Sequence, residues 1–175
     1  MSFGEAIKTC FQKYATFSGR ARRSEYWYFY LFTFLVSLAL NCIPFFGALS
    51  FVWFLAQLIP SLAVTVRRFH DIGKSGWNYL FIAIPGLFLI SYLFYFIFRV
   101  IMEMKDAGFK FYNSIDNFRA IADRVMLHSS ELSTIGILVI IDLAATILWL
   151  VWMTRDSQPG ENKWGPNPKE QLENN

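Results

Sequence analysis

From Tyr26 to Val66 the chain runs forty-one residues without a single Asp, Glu, Lys or Arg. As one helix that stretch would measure roughly 60 Å, twice the hydrocarbon thickness of a bilayer. The run therefore has to turn within itself. Pro44, Gly47 and the Phe45-Phe46 pair near its middle supply the break. Apolar runs of about 18 residues or more read as membrane spans, so two are expected, at about 26–43 and 48–66. Pro60 should kink or loosen the second, because proline offers no N–H to the preceding turn.

Two later stretches share this character. Ser75–Phe98 carries no charge, and Leu132–Met153 carries only Asp142. They predict a third span at about 76–98, interrupted by Pro85-Gly86, and a fourth at about 135–153. The overall balance agrees: hydrophobic residues make up 55% and charged residues 17%, against about 45–50% and 25% in an ordinary soluble domain. The expected fold is all-α, a single membrane domain over 1–175 with four transmembrane helices.

The charged remainder is organised around these spans. In residues 2–17, Phe3, Ile7, Cys10, Phe11, Tyr14 and Phe17 recur every three or four positions, with Glu5, Lys8, Gln12 and Lys13 between them. That is the apolar stripe of an amphipathic helix, packed on its own protein or lying in the membrane interface. Residues 99–134 hold five basic and five acidic residues around a helical pattern at Ile115, Phe118, Ala122, Val125 and Met126. The tail from 154 is polar and rich in Pro and Gly, hence irregular. The N-terminal segment, the loop after the second span and the tail together carry eleven Lys and Arg, against five in 99–134. The positive-inside rule then places both termini in the cytoplasm and the 99–134 insertion outside. Trp27, Trp77, Trp149 and Trp152 fall near the predicted cytoplasmic boundary. No cleavable signal peptide is read in the first 25 residues. Cys10 and Cys42 lie at opposite ends of a span and are not expected to pair.

The loop "RRFHDIGKSGW", Arg67 to Trp77, raises two catalytic possibilities. A phosphate-binding loop needs a glycine five positions before Gly-Lys-Ser, and here that place holds Arg68. A metal centre needs more ligands than His70 and Asp71, and the other histidine, His128, is predicted across the membrane. No cofactor or metal is therefore expected, and nothing supports nucleic-acid binding. What remains is spacing. Arg67 and Arg68 stand three or four residues before Asp71, and Arg22 three before Glu25, offsets that allow pairing on a helix. Together with Glu161, Lys163 and Trp164 of the tail, these residues are expected to gather at one membrane face. They read either as positive-inside anchoring or as one polar site for an anionic head group or a partner. Inside the membrane, Asp142 is a separate candidate, with Gln57 at similar depth and Asn41 nearer the outer surface.

Three blocks carry a resemblance: "FSGRARRSEYW" from Phe17, "PSLAVTVRRFHDIGKSGW" from Pro60 and "GENKWGPNP" from Gly160. In this order they resemble the bacterial inner-membrane family known as domain of unknown function 805, over about residues 15–170. Trp164 stands where that family usually has Tyr, and 99–134 looks like an insertion between spans joined by a short turn in typical members. The resemblance implies a multi-pass inner-membrane protein and supplies no reaction. By position it adds weight to Gly19, Arg20, Arg22, Arg23 and Glu25 of the first block. In the second it does so for Arg67, Arg68, His70, Asp71, Gly73 and Gly76, and in the third for Asn162, Gly165 and Asn167.

The reading favoured is a non-enzymatic membrane protein whose cytoplasmic polar cluster binds an anionic lipid or a protein partner, a second copy of itself included. An alternative is a small solute or proton-coupled transporter using Asp142. A third is a lipid-modifying enzyme using His70 and Asp71.

Overall fold

The computed structural model describes residues 1–43, 47–106, 122–123 and 125–170. Among these it is helical, with no strand. The elements are α1 (Phe3–Gln12), α2 (Arg23–Asn41), α3 (Gly47–Asp71), a 3₁₀ turn (Gly76–Tyr79), α4 (Leu80–Asp106) and α5 (Ser129–Thr154). Three of the helical stretches are long and apolar enough to cross a membrane: Gly47–Asp71, Gly76–Lys105 and Ser129–Thr154. The expected first span, α2, has 19 residues and opens on Arg23, Ser24 and Glu25; it is not among the three.

The chain divides into two compact units, Met1–Tyr79 with Trp149–Asn175, and Leu80–Leu148. In the first, α1 starts on a capping box: the Glu5 N–H donates to Ser2 Oγ and the Ser2 N–H to the Glu5 carboxylate. Those bonds satisfy donors that a helix start leaves free. The helix ends at Gln12, not Phe17, and Lys13 caps it. Ala6 and Cys10 form its buried face. Phe11 packs edge-on against Phe29 at 5.6 Å and meets Phe32. Cys10 is buried and Cys42 exposed, both as free thiols.

The helix α3 runs unbroken through Pro60. Pro60 cannot donate to the carbonyl four residues back, which belongs to Ala56. The Tyr14 hydroxyl donates to that oxygen at 2.6 Å. Tyr14→Phe should leave the carbonyl without this donor and lower the unfolding free energy by about 1–3 kcal/mol. Thermal unfolding in detergent measures this, and unchanged stability would show that the bond carries no weight.

The expected loop at 67–75 is shorter than its sequence suggested. α3 continues through Arg67, Arg68, Phe69, His70 and Asp71, because those residues pair within the protein and need no exit to solvent. Only Ile72–Ser75 turn. Gly73 takes φ +76°, which favours glycine. A Cβ at Gly76 would lie 2.7 Å from Val66 Cγ1, so the returning chain passes α3 where only glycine fits.

In the second unit, helix occupies both edges of the expected 99–134 insertion, since α4 extends to Asp106 and α5 begins at Ser129. Side-chain pairing accounts for these extensions. Arg99 pairs with Glu103 at 3.2 Å and with Glu131 at 2.6 Å, and His128 Nε2 meets Glu103 at 2.9 Å. Beneath them Phe96, Val100 and Met104 pack with Val125, Leu132 and Ile135. Of the pattern expected at 115–126, Ile115 and Phe118 fall outside the described residues, while Val125 packs in this cluster.

Candidate functional site

A helix leaves its last carbonyls without intrahelical partners. At the end of α3 several carbonyls find donors from distant parts of the chain. The Arg67 carbonyl accepts the Ala21 N–H at 3.0 Å, and the Asp71 carbonyl accepts the Gln158 N–H at 2.8 Å. The His70 carbonyl accepts the Gly73 N–H and Asn162 Nδ2. The end of α5 is treated likewise. Arg68 donates from Nε and Nη2 to the Met153 carbonyl and from Nη2 to that of Arg155. Trp27 Nε1 donates to Met153 as well, at 3.3 Å. A cation at a helix C-terminus also meets the negative end of the helix dipole.

Asp71 joins these caps. Its Oδ1 accepts Arg20 Nε at 3.1 Å, and its Oδ2 accepts Arg68 Nη1 at 2.5 Å and Ser157 Oγ at 2.7 Å. Arg20 spends its remaining donors on the carbonyls of Gln158, Gly160 and Gly165. One carboxylate thus ties the first block, the end of α3 and the tail. Arg68 and Asp71 are fully buried and Arg20 is nearly so. The tail is irregular, as expected, yet tightly bound. Asn162 and Gly165 close a turn by two backbone bonds, and Asn162 Nδ2 reaches Gln158 as well as His70.

His70 is committed too. Its ring stacks on Trp164 at 4.5 Å and 10°, and its Nδ1 lies 3.1 Å from the Gly19 carbonyl. Trp164 carries Lys163 on its ring. Here the aromatic at position 164 serves as a lid on His70.

A second pair lies under α1. Glu25 accepts Arg67 Nη1 at 2.5 Å and faces the Cys10 thiol at 3.9 Å. Arg67 is wholly buried, and among the described residues its Nε and Nη2 find no partner. The Arg22–Glu25 pair that spacing suggested does not form. Arg22 is the N-cap of α2, in extended conformation, so helical offsets do not apply to it. It donates to Ser24 instead. Arg23 is exposed and reaches the Thr154 carbonyl at 3.4 Å. Asn167 works locally, donating to Glu170 and accepting the Lys169 N–H. Around the rim, the Lys169 ammonium bonded to Asp156 holds that carboxyl below its usual range. The Gly160 N–H, followed by the Asn167 amide, does the same for Glu170.

The structure therefore brings together Arg20, Arg68, His70, Asp71 and Asn162, and seats Arg67 with Glu25. Reading by spacing missed Ser157, Gln158, Cys10 and Tyr14. Of these only Tyr14 left a signal, the carbonyl that Pro60 strands. Trp152 was expected in an interfacial belt but is buried against Phe69, with Lys74 over its ring. Asp142 lies in the other unit, where its Oδ1 is 3.5 Å from the Cβ position of Gly86 on α4. Gln57 lies on α3, in the first unit.

The sequence matches the family described as "Protein of unknown function (DUF805)" over residues 14–166. The chain belongs to this family. The match takes in every residue of the Asp71 and Glu25 clusters except Cys10. Among relatives of this DUF805 chain, Inner membrane protein YhaI of Escherichia coli (strain K12) is 42% identical over 76 residues, 40% of this chain and 64% of the relative. Inner membrane protein YhaH of the same strain is 36% identical over 83 residues, 42% of this chain and 69% of the relative. The chain thus spans a little under two thirds of YhaI and slightly more of YhaH. No solved structure matches it. For this DUF805 protein the three sequence blocks have a physical account: they hold the partners that cap one another's helix ends.

Proposed function

We propose that the chain is a non-enzymatic inner-membrane protein of four spans, α2 to α5, with both termini in the cytoplasm. The buried Asp71 network forms a rigid polar cap on the cytoplasmic face, and exposed cations on the rim of that cap hold anionic phospholipid head groups. Arg20, Arg67 and Arg68 then build the cap and do not touch the ligand, since their guanidiniums are buried. The observation that carries this reading is the Arg23 bond to the Thr154 carbonyl, which sets two exposed cations, Arg23 and Arg155, at the end of α5. Inner-membrane relatives and helices able to cross a bilayer support the setting. An enzymatic role for His70 is disfavoured by its stacking on Trp164.

Each surface cation contributes about 1 kcal/mol toward an anionic head group. Replacing Arg23 and Arg155 together by Gln should weaken phosphatidylglycerol retention roughly thirtyfold. Native mass spectrometry of the protein with its lipids reads this directly. Wild-type retention in the double variant, or a co-purified protein in place of lipid, would sink the lipid reading.

A further inference from the structure

The Tyr14 bond sets the height of the N-terminal segment against α3. From Arg67 to Gly47 is twenty residues, about 30 Å along a helix, which equals the hydrocarbon thickness of a bilayer. With Arg67 at one boundary, Gly47 stands at the other. Ala56, eleven residues from Arg67, then lies about 16 Å deep. At that height α3 exposes Phe54, Leu55, Leu58 and Ile59, as a lipid-facing helix does. The Tyr14 hydroxyl, on the Ala56 carbonyl, shares this depth.

The length of α2 leads to the same place. Phe11 of α1 rests on Phe29 and Phe32. From Phe29 to Asn41 only twelve residues of α2 remain, about 18 Å. A bilayer surface drawn at the height of α1 would leave α2 too short to cross. Extending the hydrocarbon up to the Glu25–Arg67 pair restores most of the needed length and submerges the end of α1. Phe11, Tyr14 and Phe17 are all partly exposed there. Lys13 is exposed beside them, and its long apolar stem lets the ammonium snorkel back to the head groups.

We propose that the end of α1 and the turn after it, Phe11 to Phe17, are a wedge sunk among the acyl chains of the leaflet beneath the polar cap, pinned at depth by Tyr14. A helix lying flat among head groups would not reach Ala56. The proposal rests on the four-span reading, and the test keeps the two apart. Full-length protein with Cys42→Ser and Ala15→Cys is spin-labelled in vesicles of phosphatidylethanolamine and phosphatidylglycerol. Collisions with oxygen should exceed those with a water-soluble nickel chelate severalfold, as at Leu55→Cys on α3. Chelate-favoured collisions, as at Lys163→Cys, would overturn the wedge. Phe17→Cys serves as a second position should Ala15→Cys fold poorly. Separately, native Cys42 is labelled with an impermeant maleimide from either side. Reaction from the face opposite the tail supports α2 as a span. Reaction from the tail's own face overturns the four-span reading whatever the depth at Ala15.

Discussion

Replacing Asp71 by Ala should be among the most damaging single changes in the chain. Its carboxylate is the counter-charge for both Arg20 and Arg68, and the side chains of all three are at most 1% exposed. Removing one member of a buried ion pair costs about 3–5 kcal/mol, because the other charge is left in a poorly solvating interior. Here two guanidiniums lose their partner at once, and Ser157 loses its acceptor. Mesophilic domains are stable by only about 5–15 kcal/mol. The expected result is a protein with a far lower unfolding temperature in detergent, and a tail from Arg155 onward that is rapidly cut by protease. Wild-type stability together with a protected tail would show that the helix-end carbonyl bonds hold the cap without Asp71.

Glu25→Ala should come close to this, for a related reason. Arg67 is wholly buried with Glu25 as its ion-pair partner, and two of its nitrogens have no partner among the described residues. Stripped of Glu25, the cation should cost about 3–5 kcal/mol. The informative comparison is the double variant Glu25→Leu with Arg67→Met. It removes the charge and its demand together, and apolar replacement of a buried pair is often neutral or stabilising. The double variant should therefore be far more stable than the losses of Glu25→Leu and Arg67→Met alone would add up to, a strongly non-additive cycle. Losses that simply sum would mean that each side chain acts through packing alone.

Much of this architecture was legible beforehand, for identifiable reasons. The uncharged runs exposed the long apolar helices. The offset between Arg68 and Asp71 exposed one real ion pair, since both lie on the same helix. The neighbouring arginine was another matter. A step of about 100° per residue turns Arg67 away from Arg68, toward α2 and Glu25. Spacing suggested Arg22 for Glu25, yet Arg22 sits outside the helix as its cap. The helices run past the expected spans where charged residues continue them, at Arg67–Asp71 and at Arg99–Asp106. At the first place Arg67, Arg68 and Asp71 are paired with protein groups, and at the second Arg99 and Glu103 are, so solvent was not needed to stop the helix.

By itself the sequence determined that this chain carries helices able to cross a membrane, because apolar side chains in such number have no better solvent than lipid. It also marked Arg20, Arg68, His70, Asp71 and Asn162, which the fold brings together, because charge is sparse in the apolar runs. Only the tertiary structure decided what those residues do. The partners of Arg20 lie 51 to 145 positions away, and no local periodicity encodes such distances. Folding turns a row of apparent ligand-binding arginines into buried caps for two helix ends, because a guanidinium taken out of water must find its acceptors within the protein.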